Sequence, residues 1–320
     1  MSNTISGLTT ELTELVTNLY FMVDDGNDLN VSKKIQSDAI INAIANALPP
    51  NEGFIKPGSY QITNNVTDSS NDLDIGAGVA RDSTDTQFID QTGTLIKQLD
   101  APWVEGTNQG GLDTGSKAVS TTYHIYTTGD EARTKADIFW SVSATAPTMT
   151  LLNAAGYTLF RRIGSCITDA SGNIIQTNWH RENNKLIAEF KDIQIPINGV
   201  SIATSPTLYS MIAPSGIESY VSGLLTSGID TTTAGSNLTV AMQSYDQTTQ
   251  TLLATDSYFY SAWRGSAGSL QEGGAFSAGI TYLCGLKCNT SSELYMSRVG
   301  TYESAANYTT FQQRSYHELI

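Results

Sequence analysis

Apolar side chains near the start of the chain recur at helical spacing. Isoleucine and leucine lie three or four positions apart between residues 5 and 19, which predicts a helix with one apolar face. A hairpin around an acidic turn is predicted in residues 20–35, and a second helix in residues 36–48, where two prolines end the pattern. A module of about 50 residues buries too little apolar surface to be stable alone. We therefore expect residues 1–50 to pack against copies of themselves or against another protein.

From residue 51 onward the pattern changes to short alternating stretches separated by Gly, Asn, Asp and Ser. Alternation predicts strands, and turn residues roughly every 8–12 positions are typical of sandwiches. The predicted fold is mainly β, with one or two antiparallel β-sandwich (jelly-roll-like) domains after a small N-terminal α+β module. The expected domains are residues 1–50, 51–198 and 199–320, with a boundary near 198–205. Strands are predicted at residues 73–79, 87–89, 94–98, 120–127, 137–144, 160–166, 173–178, 186–190, 193–197, 208–212, 218–225, 237–244, 252–257, 276–286 and 292–299, and turns at 108–111, 154–156 and 169–172.

Charged residues are scarce, and their balance is acidic. They make up 15% of the chain, against about 25% in average proteins. The 17 basic and 31 acidic residues give a net charge of −14. Proteins that bind nucleic acids neutralise phosphates with clustered Lys and Arg, whereas Lys33-Lys34 and Arg161-Arg162 are isolated pairs here. Binding to nucleic acid is therefore not expected.

Cysteine usage and hydropathy indicate where the chain folds. Three cysteines at scattered positions do not make a disulfide framework and suit a reducing cytoplasm. No run approaches the roughly 20 apolar residues of a membrane span, and the first residues lack the basic and apolar regions of a signal peptide. We expect a protein that folds in a cytoplasm and does not insert into membranes.

Candidate metal ligands do not cluster along the sequence. The histidines form no His-x-x-x-His pair, and the one Cys-x-x-x-Cys pair has no second half, whereas structural zinc needs four ligands. The acidic turns at residues 24–28 and 82–85 lack the register of a calcium loop, so we interpret them as ordinary turns. Neither a metal nor a cofactor is expected. The residues considered are His124, His180, His317, Cys166, Cys284 and Cys288.

Glu105 and Asp113, which follow Trp103, are the best carboxylate pair in the sequence. Hydrolysis of polysaccharides uses two carboxyl groups about 5–10 Å apart. With 31 acidic residues in the chain, such proximity in sequence means little, and the Gly-x-Ser-x-Gly elbow of a serine hydrolase is absent from the sequence. We therefore assign no catalytic residue and expect a protein that is not an enzyme.

Four tryptophans could either stack on sugar rings or pack in a core. Trp140 lies on a predicted strand and is expected in the core. Trp179 closes a predicted strand near a turn and is the candidate for exposure. Nothing in the sequence decides between the two roles for Trp103 or Trp263.

A series of motifs follows in a characteristic order from residue 70 to residue 320. Examples are D-I-G-A-G-V-A-R-D at residues 74–82 and G-T-N-Q-G-G-L-D-T-G at residues 106–115. Their order resembles a family of tailed-bacteriophage proteins described as tail-fibre-like or as phage structural proteins. The stretches that carry the resemblance are residues 74–86, 99–103, 106–115, 123–126, 139–147, 156–164, 168–174 and 213–217.

The N-terminal module adds a second resemblance. Its leucine-rich helix, V-D-D-G at residues 23–26 and S-K-K-I at residues 32–35 are similar to modules that begin phage fibre and collar proteins. The resemblances imply a non-enzymatic virion structural protein, a short fibre or a head, collar or tail appendage, assembled in the host cytoplasm. They imply docking to portal, tail or capsid proteins through residues 1–50, and a homotrimer, as is common among fibres.

Three alternatives remain open at this point. A host-glycan receptor-binding protein would expose Trp or Tyr clusters at loop tips. A depolymerase would hold two carboxylates in a cleft. A capsid decoration protein would present a flat, extended contact along capsid subunits.

Overall fold

The computed structural model describes residues 54–182, 185–200, 207–230, 237–246, 251–263, 276–288, 293–299 and 306–320. The N-terminal module predicted for residues 1–50, with its acidic turn at 24–28, lies outside the described residues. Its helices, its hairpin and its role in docking therefore stay predictions.

Strands dominate the described part of the chain, as the alternating pattern predicts. They form a seven-stranded, a five-stranded and a four-stranded sheet and one separate hairpin. The strands are β1 (Ile62–Asn64), β2 (Asp72–Ile75), β3 (Gly78–Arg81), β4 (Phe88–Gln91), β5 (Leu95–Pro102), β6 (Gln109–Leu112), β7 (Thr122–Gly129), β8 (Ala136–Ser141), β9 (Leu159–Ile167), β10 (Thr177–Glu182), β11 (Lys185–Val200), β12 (Thr207–Ser210), β13 (Ser219–Asp230), β14 (Asn237–Asp246), β15 (Thr251–Trp263), β16 (Phe276–Cys288), β17 (Glu293–Val299) and β18 (Ala306–Leu319).

The seven-stranded sheet has the order β1-β2-β5-β6-β8-β7-β9, and β3 and β4 form the separate hairpin. Neighbouring strands of the seven-stranded sheet run antiparallel, except that β6 runs parallel to both β5 and β8. Within the described residues, β6 and β8 share a single register pair, Leu112 with Trp140. The connection from β5 through β6 to β8 is therefore the part of this sheet with the fewest backbone pairings.

The five-stranded sheet has the order β10-β11-β18-β13-β16, and the four-stranded sheet has the order β12-β17-β14-β15. All of their pairings are antiparallel. The register between β11 and β18 shifts three times between Glu189 and Val200. Such bulges bend a strand and increase its twist, which allows these long strands to curl.

One apolar core is shared by the seven-stranded and five-stranded sheets. Ile125 and Ile163 contribute from the first sheet, and Leu186, Phe311 and Tyr316 from the second. All five side chains are buried. Two sheets that pack face to face over one core make a β-sandwich, so the predicted mainly β, sandwich-type class is confirmed. The division into domains 51–198 and 199–320 stays a prediction.

A second, smaller core covers the opposite face of the seven-stranded sheet. It contains Tyr126 and Phe139 from neighbouring strands, together with Leu152 and Tyr157. Leu152 belongs to a short helix, α1 (Thr150–Ala154). The helix ends in a Schellman motif: Tyr157 N–H donates to the Leu152 carbonyl at 2.9 Å, and Gly156, with φ of 81°, takes the left-handed position. This cap directs Tyr157 into the second core.

Two predictions about local structure are wrong. Residues 108–111 were expected to form a turn, but β6 begins at Gln109. The glycines of β6 allow neighbouring groups to approach its backbone closely. A Cβ atom on Gly110 would lie 2.1 Å from the Pro102 carbonyl oxygen, and a Cβ atom on Gly111 would lie 2.3 Å from Trp140 Nε1. The predicted strand at 173–178 is mostly loop, because β10 begins only at Thr177.

Candidate functional site beneath Trp103

The carboxylate pair singled out in the sequence does not form a symmetric acid–base site. Asp113 is buried, and its Oδ2 accepts the backbone N–H of Thr148 at 2.8 Å. Glu105 is exposed. Asp113 therefore fixes the loop that precedes helix α1.

Three of the four tryptophans pack in the protein interior. Trp140 and Trp179 lie in the core that the two large sheets share. Trp179 Nε1 donates to the Ser165 carbonyl at 3.2 Å. The prediction that Trp140 lies in the core is confirmed. The prediction that Trp179 is a candidate for exposure is wrong, because its side chain is buried. The side chain of Trp263 lies outside the described residues.

Trp103 belongs to the second core and covers a buried ion pair. Its side chain is 6% exposed and meets the Tyr157 ring edge to face, with 5.4 Å between centroids. Beneath it, Lys97 Nζ lies 5.5 Å from the ring centroid. A cation over an indole face gains electrostatic attraction from the ring quadrupole. The indole therefore both shields and stabilises the lysine.

Lys97 and Asp137 form the ion pair. Lys97 Nζ lies 3.0 Å from Asp137 Oδ1 and 3.2 Å from Oδ2, and the two side chains are 0% and 1% exposed. Lys97 lies on β5 and Asp137 on β8, which flank the short strand β6. The ion pair therefore joins two strands that the backbone ladder links only through β6.

Backbone groups complete the hydrogen bonding of both charges. Lys97 Nζ also donates to the carbonyl oxygens of Val104 at 2.7 Å and Gly106 at 3.0 Å. Asp137 Oδ2 accepts the Gly106 N–H at 2.9 Å, and Oδ1 accepts the Ile138 N–H at 2.7 Å. The loop between β5 and β6 is thus wrapped around the pair, and both side chains have fixed orientations.

Burial and charge act in opposite directions on this pair. Burial lowers the pKa of Lys97, while the Asp137 carboxylate opposes that shift. Burial likewise raises the pKa of Asp137, and the ammonium group of Lys97 opposes it. Desolvation dominates for both residues, so the site favours the neutral amine and the neutral acid more than water does. Burial also raises the pKa of Tyr157, and so does its hydrogen bond to Glu105.

The position of Lys97 in the sequence indicates that its side chain is buried, which the composition of the chain does not show. Lys97 is the single charged residue of the predicted strand at residues 94–98 and is flanked by Leu95, Ile96 and Leu99, whereas lysine is depleted in strands. Lysine is almost never fully buried unless it is paired. The partner on β8 cannot be read from the sequence, because it depends on which strands become neighbours.

A second buried ionic cluster connects the two large sheets. The Glu318 carboxylate on β18 accepts hydrogen bonds from the Arg162 guanidinium and from Ser165 Oγ, both on β9. Arg181 on β10 is partly buried; burial lowers its pKa to about 10, and the charge of Glu318 opposes that shift. Arg162, which the sequence shows only as part of an isolated basic pair, therefore links the sheets.

The histidines occupy separate places. His124 is buried on β7, and burial, together with the charge of Arg162, lowers its pKa to about 4. His180 lies on the open face of the five-stranded sheet, 3.6 Å from Glu189. His317 lines a cavity of about 420 Å³ on the same face, beside Lys185. Among the described residues, no group of three or more His, Cys, Asp or Glu could hold a metal ion.

The acidic turn at residues 82–85 is an ordinary turn, as predicted. Asp82 Oδ1 accepts the backbone N–H groups of Thr86 and Gln87, each at 2.8 Å. These bonds lower the pKa of Asp82, although burial acts in the opposite direction. Cys166 is buried in the core, and the side chains of Cys284 and Cys288 lie outside the described residues.

Comparisons with known proteins identify neither a family nor a related protein of known function for this chain. No protein-family profile matches the chain, and no curated protein matches it. Among solved structures, the chain is similar to the VP2 subviral particle of infectious bursal disease virus, with 10% identity and a TM-score of 0.20 over 83% of this chain and 68% of that chain. A likeness at this level carries no argument about function. Within the described residues, no helix has the length and apolar character needed to cross a membrane.

Proposed function

We propose that this chain is a non-enzymatic structural protein of a bacteriophage virion, a short fibre or a head, collar or tail appendage. It docks to other virion proteins through residues 1–50 and exposes its β region. The proposal combines the resemblance over residues 70–320 with the way the described residues use their buried charges.

The observation that carries the proposal is that buried charged groups hold strands and loops together. Lys97 and Asp137 join β5 to β8, and Glu318 joins the two large sheets through Arg162. Asp113, the best sequence candidate for a catalytic acid, fixes a loop through the Thr148 N–H. Such links favour a rigid scaffold over a depolymerase.

The test is the mass of the purified protein in solution, measured by light scattering on the full chain and on residues 51–320. We expect a homotrimer that falls to a monomer when residues 1–50 are removed. Within the full chain, Leu12→Asp places a charge on the predicted apolar stripe, and Thr13→Asp places it beside that predicted stripe as a matched control. Only the first substitution is expected to dissociate the trimer.

Other results would change the proposal. A trimer that survives truncation would move the assembly interface into the β region and leave residues 1–50 as a docking segment. A monomer in every case would contradict a self-assembling fibre. It would favour a decoration protein whose oligomeric state is imposed by the particle.

A host-glycan receptor-binding protein is the second candidate, and one observation favours it. The cavity beside His317 is also lined by Tyr220 and Lys185, which offer an aromatic ring and a hydrogen-bond donor, groups of the kind that line ligand pockets. Binding to a panel of bacterial surface glycans that is weakened by Tyr220→Ala would support this role. Binding that is unaffected by the substitution would place the glycan site elsewhere.

A further inference from the structure

The reactive groups of Lys97 and Asp137 are held in contact inside the protein. Nζ lies 3.0 Å and 3.2 Å from the two carboxyl oxygens, and the paired side chains are 0% and 1% exposed. The carboxyl carbon Cγ is bonded to both of these oxygens, so the amine nitrogen also lies close to that carbon. Groups that are held together in a favourable orientation react with effective molarities of about 10⁵–10⁸ M in well-oriented cases. The geometry of this pair therefore suits a reaction as well as an ionic contact.

We propose that Lys97 and Asp137 condense into an intramolecular isopeptide bond. The Nζ–Cγ bond forms, one Cγ–O bond breaks, and one water leaves. The ammonium and the carboxylate together contain all the atoms of the amide and the water, so the reaction needs no oxidant, reductant or external proton.

The protons move within the pair. Transfer of one proton from Nζ to a carboxyl oxygen gives a neutral amine and a neutral acid, and the Nζ lone pair then attacks Cγ. The directions of the two pKa shifts, lower for Lys97 and higher for Asp137 because of burial, favour this neutral form. A second proton passes from Nζ to the departing oxygen, which leaves as water.

Backbone N–H groups are already placed where negative charge develops during the attack. The Gly106 N–H lies 2.9 Å from Asp137 Oδ2, and the Ile138 N–H lies 2.7 Å from Oδ1. Backbone donors about 2.7–3.1 Å from the position of an oxyanion stabilise it, and these two donors lie at such distances from the carboxyl oxygens before the attack. Whichever oxygen keeps the charge in the tetrahedral intermediate, one of these donors faces it.

Exclusion of water favours both formation and persistence of the bond. The Trp103 ring covers Lys97, the loop from Val104 to Gly106 contacts Nζ through two carbonyl oxygens, and the paired side chains are 0% and 1% exposed. Burying two full charges costs free energy that only excellent geometry offsets. An amide removes both charges, and the enclosure limits access of the water that would hydrolyse it.

The position of the bond suits a mechanical role. It would connect β5 to β8, and within the described residues β6 joins β8 through a single register pair. A covalent link would therefore reinforce the sheet where its backbone ladder is weakest. This inference does not depend on the proposed function, since it follows from the pair alone.

The test is the intact mass of the full chain, measured by mass spectrometry under denaturing conditions. We expect the protein to be lighter than its sequence by one water, about 18 Da. After proteolysis, a branched peptide should join the segment that contains Lys97 to the one that contains Asp137. Lys97→Arg keeps the positive charge but removes the amine, so that variant should show the full mass of its sequence.

Two controls distinguish this bond from other sources of water loss. Asp25-Gly26 is a sequence that can dehydrate to a succinimide, which also removes one water but yields no branched peptide. Glu318→Gln disrupts the ion pair between the two large sheets and should leave the mass loss unchanged. A wild-type mass equal to that of the sequence would overturn the proposal. So would a wild-type mass loss that is no greater than that of Lys97→Arg, or one that gives no branched peptide.

Discussion

Glu318→Gln tests whether the buried cluster between the two large sheets stabilises the fold. The Glu318 side chain is 0% exposed and that of Arg162 is 15% exposed. The substitution keeps the shape of the side chain and removes its charge. The Arg162 guanidinium then loses its ionic partner, and the partly buried Arg181 loses the nearby negative charge that opposes the effect of its desolvation.

The expected loss of stability is about 3 kcal/mol. Removing one partner of a buried ion pair typically costs about 3–5 kcal/mol, because the other charge stays buried without compensation. The lower end applies here, since Arg162 keeps some contact with water. A loss of this size reduces the ratio of folded to unfolded protein by a factor of about 100.

Urea unfolding measures this loss directly. With a slope of about 3 kcal/mol per M, the midpoint should fall by about 1 M. Glu189→Gln is the matched control on the same sheet, because Glu189 is 57% exposed beside His180 and exposed pairs contribute only about 0–1 kcal/mol. A change below about 1 kcal/mol in Glu318→Gln would refute the reasoning.

Three further predictions concern single residues. Gly111→Ala should lower the free energy of unfolding by about 1–3 kcal/mol, because the added Cβ would overlap Trp140. Gly93→Ala should not lower it, because a Cβ at that position meets open space. Thermal unfolding of the two variants measures the difference. His124 has a folded pKa of about 4 against 6.5 in water, so stability should fall by about 3 kcal/mol as the pH drops from 6.5 to 4; urea unfolding of His124→Gln should lack this loss. Burial raises the pKa of Cys166, so iodoacetamide should label it only after unfolding, as peptide mapping would show.

Much of the fold could be predicted from alternation alone. The prediction of a strand at residues 120–127 matches β7 (Thr122–Gly129) within two residues at each end. Trp140 was expected in the core and lies there. These segments are readable because their inward positions are apolar or aromatic, which is the pattern that alternation detects.

Strand β18 was missed because several of its inward positions are polar. Gln313 is buried, and its Nε2 donates to the Ile212 carbonyl at 2.6 Å. Ser315 and Glu318 are buried as well. Polar side chains at inward positions hide the alternation, and their partners are known only after the strands have paired. The pairing of Lys97 with Asp137 was missed for the same reason: the two residues lie on β5 and β8, which become close only after both strands have paired with β6.

The central place of β18 in the five-stranded sheet has a consequence for folding kinetics. β18 lies between β11 and β13, and Lys185 pairs with Leu319, so the sheet cannot close until a distant part of the chain arrives. Pairings between residues far apart in sequence slow folding. Until β18 docks, β11 and β13 present open edges that can accept a strand from another copy. Slow refolding and a tendency to exchange this strand between molecules at high protein concentration are the expected result.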